Sequence, residues 1–319
     1  MEMGDFRATN CWFLIGPTAG GKTEIGIALA GRLGAEIVSL DSMALYRGMD
    51  IGTAKPTREH RAAVPHHLVD VVEPHEEFSL AQYVEAAEAC AKDIRGRGRE
   101  ILFVGGTPLY LKALLRGIFA GPAADAAFRA QLEGEERERP GTLHRRLAQC
   151  DPEAAQRLHS NDTRRVVRAL EVFEKTGIPI SRWQQQFDRG LPADRCRVFL
   201  LDWPREVLYR RVNRRVEIMF EQGLVEEVAG LIQLEPPLSK TASQAVGYRE
   251  VIEYLRGGPG LETTIELVKT HTRQLAKRQW TWFRSLSECR PVPISEPVDV
   301  ERIAGSIVQA GLQISARTG

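Results

Sequence analysis

The chain has 319 residues, enough for one large domain or two smaller ones, and its 43% hydrophobic and 27% charged residues are typical of a globular protein in water. A formal net charge of +1 indicates no partner by itself, so a nucleic-acid surface would have to come from local clusters of basic residues. The five cysteines form no C-x-x-C pair, which disfavours a zinc site or a disulfide framework.

The N-terminal residues do not resemble a signal peptide. Residues 1–10 are polar and lack the apolar core of a signal peptide. No uninterrupted apolar run approaches the roughly 20 residues that a membrane span needs. We therefore expect a cytoplasmic protein that has no contact with a membrane.

The first predicted element is a short strand at residues 11–15, and a helix-like run up to Leu33 follows the loop after it. The loop has eight residues: Gly16, Pro17, Thr18, Ala19, Gly20, Gly21, Lys22 and Thr23. They fit the phosphate-loop pattern G-x-x-x-x-G-K-[ST], in which glycines let backbone N–H groups point inward at phosphate oxygens. The helix N-terminus adds a positive dipole end, Lys22 a positive charge and Thr23 a hydroxyl ligand for Mg²⁺. We therefore predict that a diphosphate or triphosphate binds here.

The chain then alternates strand and helix patterns up to residue 118, as an α/β fold built on a parallel sheet does. A second strand at 35–40 ends in Asp41, and a helix with one apolar face follows at 80–94. A short buried strand at 101–104 is ended by Gly105-Gly106-Thr107. Polar residues that follow strands in this way are candidates for a common site.

Residues 119–194 break this pattern, because strand signals vanish and helical ones dominate there. The α/β pattern resumes with a strand at 197–201, a long helix at 261–287 and a final helix from about Val300. We predict the α/β fold class: a P-loop NTPase-like parallel sheet flanked by helices, with an inserted all-helical domain. The catalytic core is then discontinuous, residues 1–118 plus 195–319, and the insertion is 119–194.

A phosphate loop alone leaves open NTP hydrolysis, kinase transfer and attack on carbon with departure of diphosphate. The chain has no N-K-x-D motif, which excludes a regulatory GTPase. An ATPase or kinase usually needs an acid at the end of a neighbouring strand to hold Mg²⁺, and both Asp41 and Asp202 follow predicted strands. For Asp202, a helix cap before Pro204 is an equally good interpretation.

Ordered motifs along the chain resemble the signature of the bacterial tRNA dimethylallyltransferases. Seven segments carry this resemblance: Gly16–Thr23, Asp41–Pro56, Pro65–Asp70, Gly105–Tyr110, Asn161–Glu171, Val246–Arg249 and Arg273–Gln279. They extend from residue 16 to about 284, so the resemblance covers nearly the whole chain. The chain has no Cys/His cluster for the C-terminal zinc finger that the eukaryotic form typically carries.

The resemblance implies transfer of a dimethylallyl group from dimethylallyl diphosphate to the exocyclic amine of an adenosine in tRNA. That adenosine lies 3′ of the anticodon in tRNAs reading codons that start with U, and the products are isopentenyladenosine and diphosphate. The expected cofactor is Mg²⁺, the helical insertion is expected to grip the anticodon stem-loop, and the protein is expected to act as a monomer. A stacked adenine must leave its stack to react, so base flipping is expected.

The resemblance also assigns catalytic residues: Lys22, Asp41, Thr107 and Arg249. An adenine amine is a poor nucleophile, and by resemblance Asp41 is the carboxylate that accepts its proton. Lys22, the loop amides and a Thr23-bound Mg²⁺ would stabilise the departing diphosphate. Thr107 resembles the family's residue near the reacting groups, and Arg249 a second cation for the diphosphate or the tRNA backbone.

The residues predicted to bind tRNA, by resemblance or by charge, are Asp41, Ser42, Met43, Ala44, Thr107, Arg129, Arg164, Arg165, Val166, Val167, Arg168, Gln244, Ala245, Val246, Gly247, Tyr248, Arg249, Arg273, Lys277 and Arg284. For some of these residues, the local sequence pattern supports the prediction independently of the resemblance. One face of the late helix combines a tryptophan with three basic residues: Arg273, Lys277, Trp280 and Arg284. Such a face suits phosphates and a stacked base.

Two other groups of basic residues have a similar interpretation. Five arginines cluster at 205–215, and for them, as for the late helix, a solvated surface is the alternative. In the insertion helix at 163–175, Arg164 and Arg168 are predicted on the face opposite the packed residues, where the family grips the anticodon stem-loop.

Two residues depart from the commonest family pattern: Gly20 stands where many members have Ser, and Ala44 where many have Gln. Three other functions remain open. They are a small-molecule P-loop kinase with a helical lid, an RNA-binding protein that uses the loop only as a phosphate clamp, and an adenylate prenyltransferase acting on free nucleotide. The basic helix faces argue against the last, because a mononucleotide needs no extended phosphate-contacting surface.

Overall fold

The computed structural model describes residues 8–119, 121–184 and 190–318, with side chains up to residue 314. The chain divides into two compact units: Met1–Leu115 with Leu191–Gly319, and Arg116–Gly190. The boundaries predicted from the sequence, after residues 118 and 194, lie three and four residues beyond those of this division. Of the N-terminal segment whose polarity we interpreted, residues 1–7 lie outside the described residues.

The described strands are β1 (Trp12–Ile15), β2 (Ala35–Leu40), β3 (His66–His67), β4 (Glu100–Gly105), β5 (Arg197–Asp202) and β6 (Cys289–Pro293). They form a six-stranded sheet in the order β3-β2-β4-β1-β5-β6, and all neighbouring strands are parallel. The predicted parallel sheet is therefore confirmed. Strand β3 was not predicted, because a pair of residues is too short to show a strand pattern.

The described helices are α1 (Lys22–Leu33), α2 (Arg58–Ala63), α3 (Leu80–Gly96), α4 (Pro108–Arg116), α5 (Ala126–Glu138), α6 (Thr142–Cys150), α7 (Pro152–Arg157), α8 (Thr163–Thr176), α9 (Ile180–Trp183), α10 (Arg205–Glu221), α11 (Leu224–Leu231), α12 (Lys240–Ser243), α13 (Tyr248–Leu255), α14 (Leu261–Arg284) and α15 (Val300–Thr318). The helices of the first unit cover the sheet. This cover is needed because the strands of a parallel sheet are apolar on both faces. Trp12, Leu14, Ile25 and Phe199 lie in this core, where α15 also packs on α1.

The regular elements among the described residues of the second unit are all helices, as predicted. Helices α5 to α9 enclose a separate apolar core that includes Leu132, Leu147, Val166 and Val172. Helix α8 is capped at its N-terminus by Asp162, whose carboxylate accepts a backbone N–H of the first turn, and at its C-terminus by Gly177 in the left-handed conformation.

The sheet places three predicted site segments next to one another at the carboxyl ends of its strands. The register pairs Ile15 at the end of β1 and Leu40 at the end of β2 with the same residue of β4, Gly105. The loop after β1, Asp41 after β2 and Thr107 after β4 therefore leave the sheet side by side. Ligands of open α/β sheets bind outside the carboxyl ends of the strands, which is this edge.

Candidate active site

The loop Gly16–Thr23 curls tightly between β1 and α1. Ala19 and Gly21 have positive φ angles of 61° and 78°, and Gly21 is the residue that caps α1. The N–H of Gly20 donates to the carbonyl of Pro17 at 3.2 Å, and the Lys22 ammonium donates to the same carbonyl at 2.8 Å. The loop backbone thus enters the left-handed region at both residues, a conformation that glycine adopts most readily, and the loop holds Lys22 folded back over it.

The outer side of the loop is supported by side chains from beyond β5. The Trp203 indole donates to the carbonyl of Gly20 at 3.0 Å, and the Arg211 guanidinium donates to the carbonyl of Ala19 at 3.0 Å. Arg211 also lies 4.5 Å from the centre of the Trp203 ring, a cation–π contact. Bonding these two carbonyls outward favours a loop whose N–H groups are left for a ligand.

Asp41 and Thr107 meet at the ends of β2 and β4. The N–H of Thr107 donates to the Leu40 carbonyl at 3.1 Å, and the Thr107 hydroxyl accepts the N–H of Ser42 at 3.1 Å. Asp41 Oδ1 accepts the N–H of Met43 at 2.9 Å. One carboxylate oxygen of Asp41 therefore orders the turn that follows β2.

These segments line one cavity of about 1060 Å³. Its wall includes the loop from Thr18 to Thr23, Asp41 to Ala44, and Thr107. The structure therefore brings together the sequence-predicted diphosphate loop, the carboxylate and the threonine. Apolar side chains also line the cavity: Val104, Ile218, Met219 and Leu275. The cavity combines a cationic, N–H-rich end with apolar walls.

Four arginines of α10 also line this cavity: Arg210, Arg211, Arg214 and Arg215. Sequence analysis noted the cluster but left a solvated surface as its alternative. The spacing of four residues between Arg211 and Arg215 puts both on one helix face, which is the signal that could have assigned them to a site. Arg215 donates to the Thr53 carbonyl at 3.2 Å, and its Nε is a buried polar atom without a partner in the described part of the chain.

The two cations beside Asp41 are electrostatically strained without an anion. Burial lowers the pKa of Lys22 from its ordinary 10.5 to about 8; Asp41 opposes this change and Arg215 adds to it. Burial also lowers the pKa of Arg215, again opposed by Asp41. Burying like charges together disfavours the charged form, so an anion that neutralises them would bind strongly.

Glu227 of α11 anchors the segment that follows Asp41, and sequence analysis missed it. Its carboxylate accepts the backbone N–H groups of Asp50, Ile51 and Gly52 at 3.0, 2.7 and 3.3 Å. It also accepts the Tyr248 hydroxyl at 2.6 Å. Glu227 therefore joins the cavity-lining segment at 50–57 to the start of α13.

The buried side chain of Lys55 holds together part of the polar motif at 41–56 by hydrogen bonds. Lys55 donates to the Tyr46 carbonyl at 2.7 Å and to the carboxylates of Asp50 and Asp70 at 2.6 Å each. Asp70 also binds Arg61 at 2.7 Å. Lys55 is nearly inaccessible to solvent, so these bonds satisfy a charge that would otherwise be costly to bury. This part of the motif orders the cavity wall.

Only some residues of the segment predicted to bind tRNA, 244–249, line the cavity. Gln244, Ala245, Val246 and Tyr248 line the cavity, but Gly247 and Arg249 are not among the lining residues that the structure describes. Arg249 is paired with the buried carboxylate of Glu250 at 2.6 Å. Arg249 is therefore separate from Lys22 and Asp41 here, and its predicted contact with diphosphate has no geometric support.

In the helical unit, the predicted tRNA contacts need correction. Val166 and Val167 are 1% and 2% exposed, so their side chains belong to the apolar core and cannot reach RNA. Arg168 was expected to face solvent opposite the core, yet it pairs with the buried Glu171 and donates to the Pro122 carbonyl at 3.0 Å. Our helix projection overlooked the neighbouring carboxylate three residues along the same helix.

Glu171 binds a second predicted contact residue, Arg129, at 2.6 Å, and accepts the N–H of Asp125 at 2.7 Å. Burial alone would raise the pKa of Glu171, but the hydrogen bonds from Arg129, from the Asp125 backbone and from Arg168 lower it to about 2. Arg129 and Arg168 thus neutralise a core carboxylate. Arg164 and Arg165 remain as exposed cations on α8.

The basic face of α14 is only partly free. Arg273 donates to the Asn213 side chain at 2.6 Å, whereas Lys277 and Arg284 are exposed. The Trp280 indole donates to Asp202 at 2.7 Å, and Arg284 lies 4.5 Å from the centre of its ring. Asp202 is therefore the acceptor for Trp280, and the interpretation as a helix cap is wrong, since Pro204 holds the capping position without a side-chain bond.

The described residues include neither a membrane-spanning helix nor a cluster of metal-ligating side chains. None of the helices there is long and apolar enough to cross a membrane. The same ranges contain no group of three or more His, Cys, Asp or Glu side chains that could hold a metal ion. A metal at the loop would therefore need most of its ligands from a bound substrate or from water.

Comparison with known protein families gives two matches. A family model described as IPP transferase matches residues 44–286, which is more than half of the chain. A second model, described as isopentenyl transferase, matches residues 9–65. Together the two matches begin before the phosphate loop and end after α14.

Similar proteins and solved structures agree with these two family matches. The tRNA dimethylallyltransferase of Rhodopirellula baltica is 49% identical over 314 residues, 95% of this chain and 94% of its own. A crystal structure of the tRNA isopentenylpyrophosphate transferase from Bacillus halodurans is 37% identical, with a TM-score of 0.70 over 97% of this chain and 99% of that one. A eukaryotic dimethylallyltransferase described as acting on tRNA is 28% identical, with a TM-score of 0.72 over 97% and 77% of the two chains.

Proposed function

The chain belongs to the IPP transferase family, and on this premise we propose that it transfers a dimethylallyl group from dimethylallyl diphosphate to the exocyclic amine of an adenosine in tRNA. We further propose that the adenosine lies 3′ of the anticodon in tRNAs reading codons that start with U. The observation that carries the proposal is the single cavity in which Lys22 and Arg215 lie beside Asp41 and Thr107. A cation pair for a leaving diphosphate thus adjoins a carboxylate for an attacking amine.

The diphosphate is proposed to lie in the loop Gly16–Thr23. As the bond from the allylic carbon to oxygen breaks, its electron pair leaves with the diphosphate, and negative charge grows on the departing oxygens. Lys22 and Arg215 are held where they can stabilise that charge, and fixed donors in a site screened from water are effective in this role. The unpartnered Arg215 Nε is the donor that a diphosphate oxygen would satisfy.

The acceptor adenine is proposed to enter the other end of the cavity. Its amine lone pair forms the new bond to carbon, and the amine then carries a proton that must leave. Asp41 Oδ1 is occupied by the N–H of Met43, so the other carboxylate oxygen is the one proposed to accept this proton. The Thr107 hydroxyl, bonded to Ser42, lies beside it and is proposed to orient the base.

Mg²⁺ is proposed as the cofactor. Thr23 lines the cavity and offers one hydroxyl, which fits an ion whose other ligands are phosphate oxygens and water. When bound, the ion would neutralise charge on the diphosphate. Thr23 is the residue that we propose holds it. Removal of Mg²⁺ with a chelator is expected to weaken diphosphate binding in the wild type more than in Thr23→Val.

The decisive experiment supplies unmodified tRNA transcripts and dimethylallyl diphosphate, then weighs the nucleosides after digestion. The expected product is an adenosine enlarged by one dimethylallyl group, mapped by fragmentation to the position 3′ of the anticodon. Transfer of label from ATP to a small molecule would instead identify a kinase. Prenylation of free AMP in preference to tRNA would identify an adenylate prenyltransferase, and tRNA binding without product a binding protein.

Diphosphate affinity is predicted to fall as the pH rises above about 8. Because the pKa of Lys22 is lowered to about 8, the side chain is charged below that pH and neutral above it. Binding above pH 8 then requires uptake of a proton, so the dissociation constant of dimethylallyl diphosphate should rise about fivefold from pH 8 to pH 9. Lys22→Arg stays charged, and its curve should be flat; an equal rise in this variant would contradict the assignment.

Salt dependence is predicted to locate the tRNA contact on α8. Because Arg168 forms an ion pair with the buried Glu171, the suitable variant is Arg164→Ala with Arg165→Ala, which leaves that ion pair intact. Each lost phosphate contact should flatten the log–log salt dependence of tRNA affinity by about 0.7–0.9. The control is Arg99→Ala with Arg302→Ala, since Arg302 pairs with Asp299 as Arg165 pairs with Asp162. Superimposable lines for the two double variants would show that α8 does not touch RNA.

A further inference from the structure

Gln279 of α14 bonds two loops of the proposed active site with one amide group. Its Oε1 accepts the backbone N–H of Thr18 at 2.9 Å, and its Nε2 donates to the carbonyl of Gly106 at 2.7 Å. The first partner lies in the phosphate loop after β1, and the second lies in the turn after β4 that presents Thr107. A carboxamide is required, because a donor and an acceptor are satisfied at once.

The neighbouring backbone is shaped for this amide. A Cβ atom at Gly106 would lie 2.8 Å from Gln279 Nε2 and 3.3 Å from the carbonyl of Gly16, so a larger residue at 106 would push the Gln279 amide out of this position. The next residue along α14, Trp280, donates to Asp202 at the end of β5 at 2.7 Å. Two consecutive side chains therefore fix α14 across the ends of β1, β4 and β5.

We propose that Gln279 is a positioning residue that sets the spacing between the diphosphate loop and the acceptor turn, an inference that rests on the proposed function. Each polar atom of its amide is bonded to a loop, so it acts through Thr18 and Gly106 rather than by touching a substrate. Carbon and amine must approach in line for the bond to form, and the two are held by different loops. A misplacement of about 1 Å between reacting groups can cost about 10²-fold in rate.

The test compares Gln279→Met with Gln274→Met. Both replace a carboxamide of the same helix by an apolar chain of similar length, but Gln274 is exposed and outside the cavity wall. In Gln279→Met we expect kcat to fall about 10–10²-fold, with the KM for dimethylallyl diphosphate and the tRNA affinity changed less than about threefold. Gln274→Met should keep wild-type values. A kcat for Gln279→Met within twofold of the control would overturn the proposal.

Two further measurements separate this proposal from folding defects and from the function itself. Amide hydrogen exchange should speed up at Thr18 and across residues 105–107 in Gln279→Met, without a lower melting temperature than the control. Gln279→Glu keeps the acceptor and loses the donor, so the turn at 105–107 should exchange faster while Thr18 stays protected. If the wild type has no transferase activity, the proposed function is wrong. Unchanged amide exchange at both loops in Gln279→Met would contradict the positioning role, whatever the activity of the wild type.

Discussion

Lys22→Ala is expected to lower the single-turnover rate of dimethylallyl transfer about 10²–10³-fold, the usual cost of removing one fixed charge partner from a transition state. The ammonium lies folded over the phosphate loop, bonded to the Pro17 carbonyl at 2.8 Å. Negative charge grows on the departing diphosphate at this position, and the variant removes one of the two buried cations, Lys22 and Arg215, that are placed to stabilise it. The measurement is a rapid-quench assay with labelled dimethylallyl diphosphate and excess enzyme.

The folded protein should not suffer from this change. Lys22 carries a lowered pKa, so its charged form is disfavoured by burial, and removing it relieves that cost below pH 8, where the wild type is protonated. The melting temperature at pH 7 is therefore expected to stay or rise. Lys92→Ala, at an exposed position of α3, is the matched control and should retain full activity. A near-normal rate for Lys22→Ala would mean that this loop does not hold the reacting diphosphate.

The parts of the site that could be predicted from sequence are those made by contiguous residues. The phosphate loop is a local motif between a strand and a helix, and the parallel sheet then brings Asp41 and Thr107 beside it. Helices were predictable for the same reason: the insertion helix expected at 163–175 is observed as Thr163–Thr176. Periodicity and caps are properties of a short stretch, so one stretch suffices to read them.

The residues that sequence analysis missed act across long separations. Gln279 meets Thr18 over 261 positions, Glu227 meets Gly52 over 175, and Arg215 meets Thr53 over 162. Nothing in the local pattern of a helix tells which distant backbone group its side chain will meet. Arg168 shows the converse error: its position on a helical face was predicted, but the buried Glu171 beside it turns a potential phosphate contact into part of the core.

Asp41→Asn is expected to lower the single-turnover rate about 10²–10⁴-fold while leaving tRNA affinity within a few fold. The amide oxygen of Asn can still accept the N–H of Met43, which the carboxylate accepts at 2.9 Å, so the turn after β2 should persist. The second oxygen becomes an NH₂ group, which cannot take up the proton of the attacking amine. The variant therefore removes the base and keeps the shape of the turn.

Asp41→Ala provides the comparison that separates these two roles. It loses the acceptor for Met43 as well as the base, so tRNA affinity should fall in addition to the rate, because Ser42 and Met43 line the cavity wall beside it. If Asp41 is the base, the two variants share the loss in single-turnover rate at saturating tRNA and differ in affinity. If instead Asp41→Asn keeps its rate and loses tRNA binding, Asp41 orders the acceptor site, and the proton must leave by water through the cavity mouth.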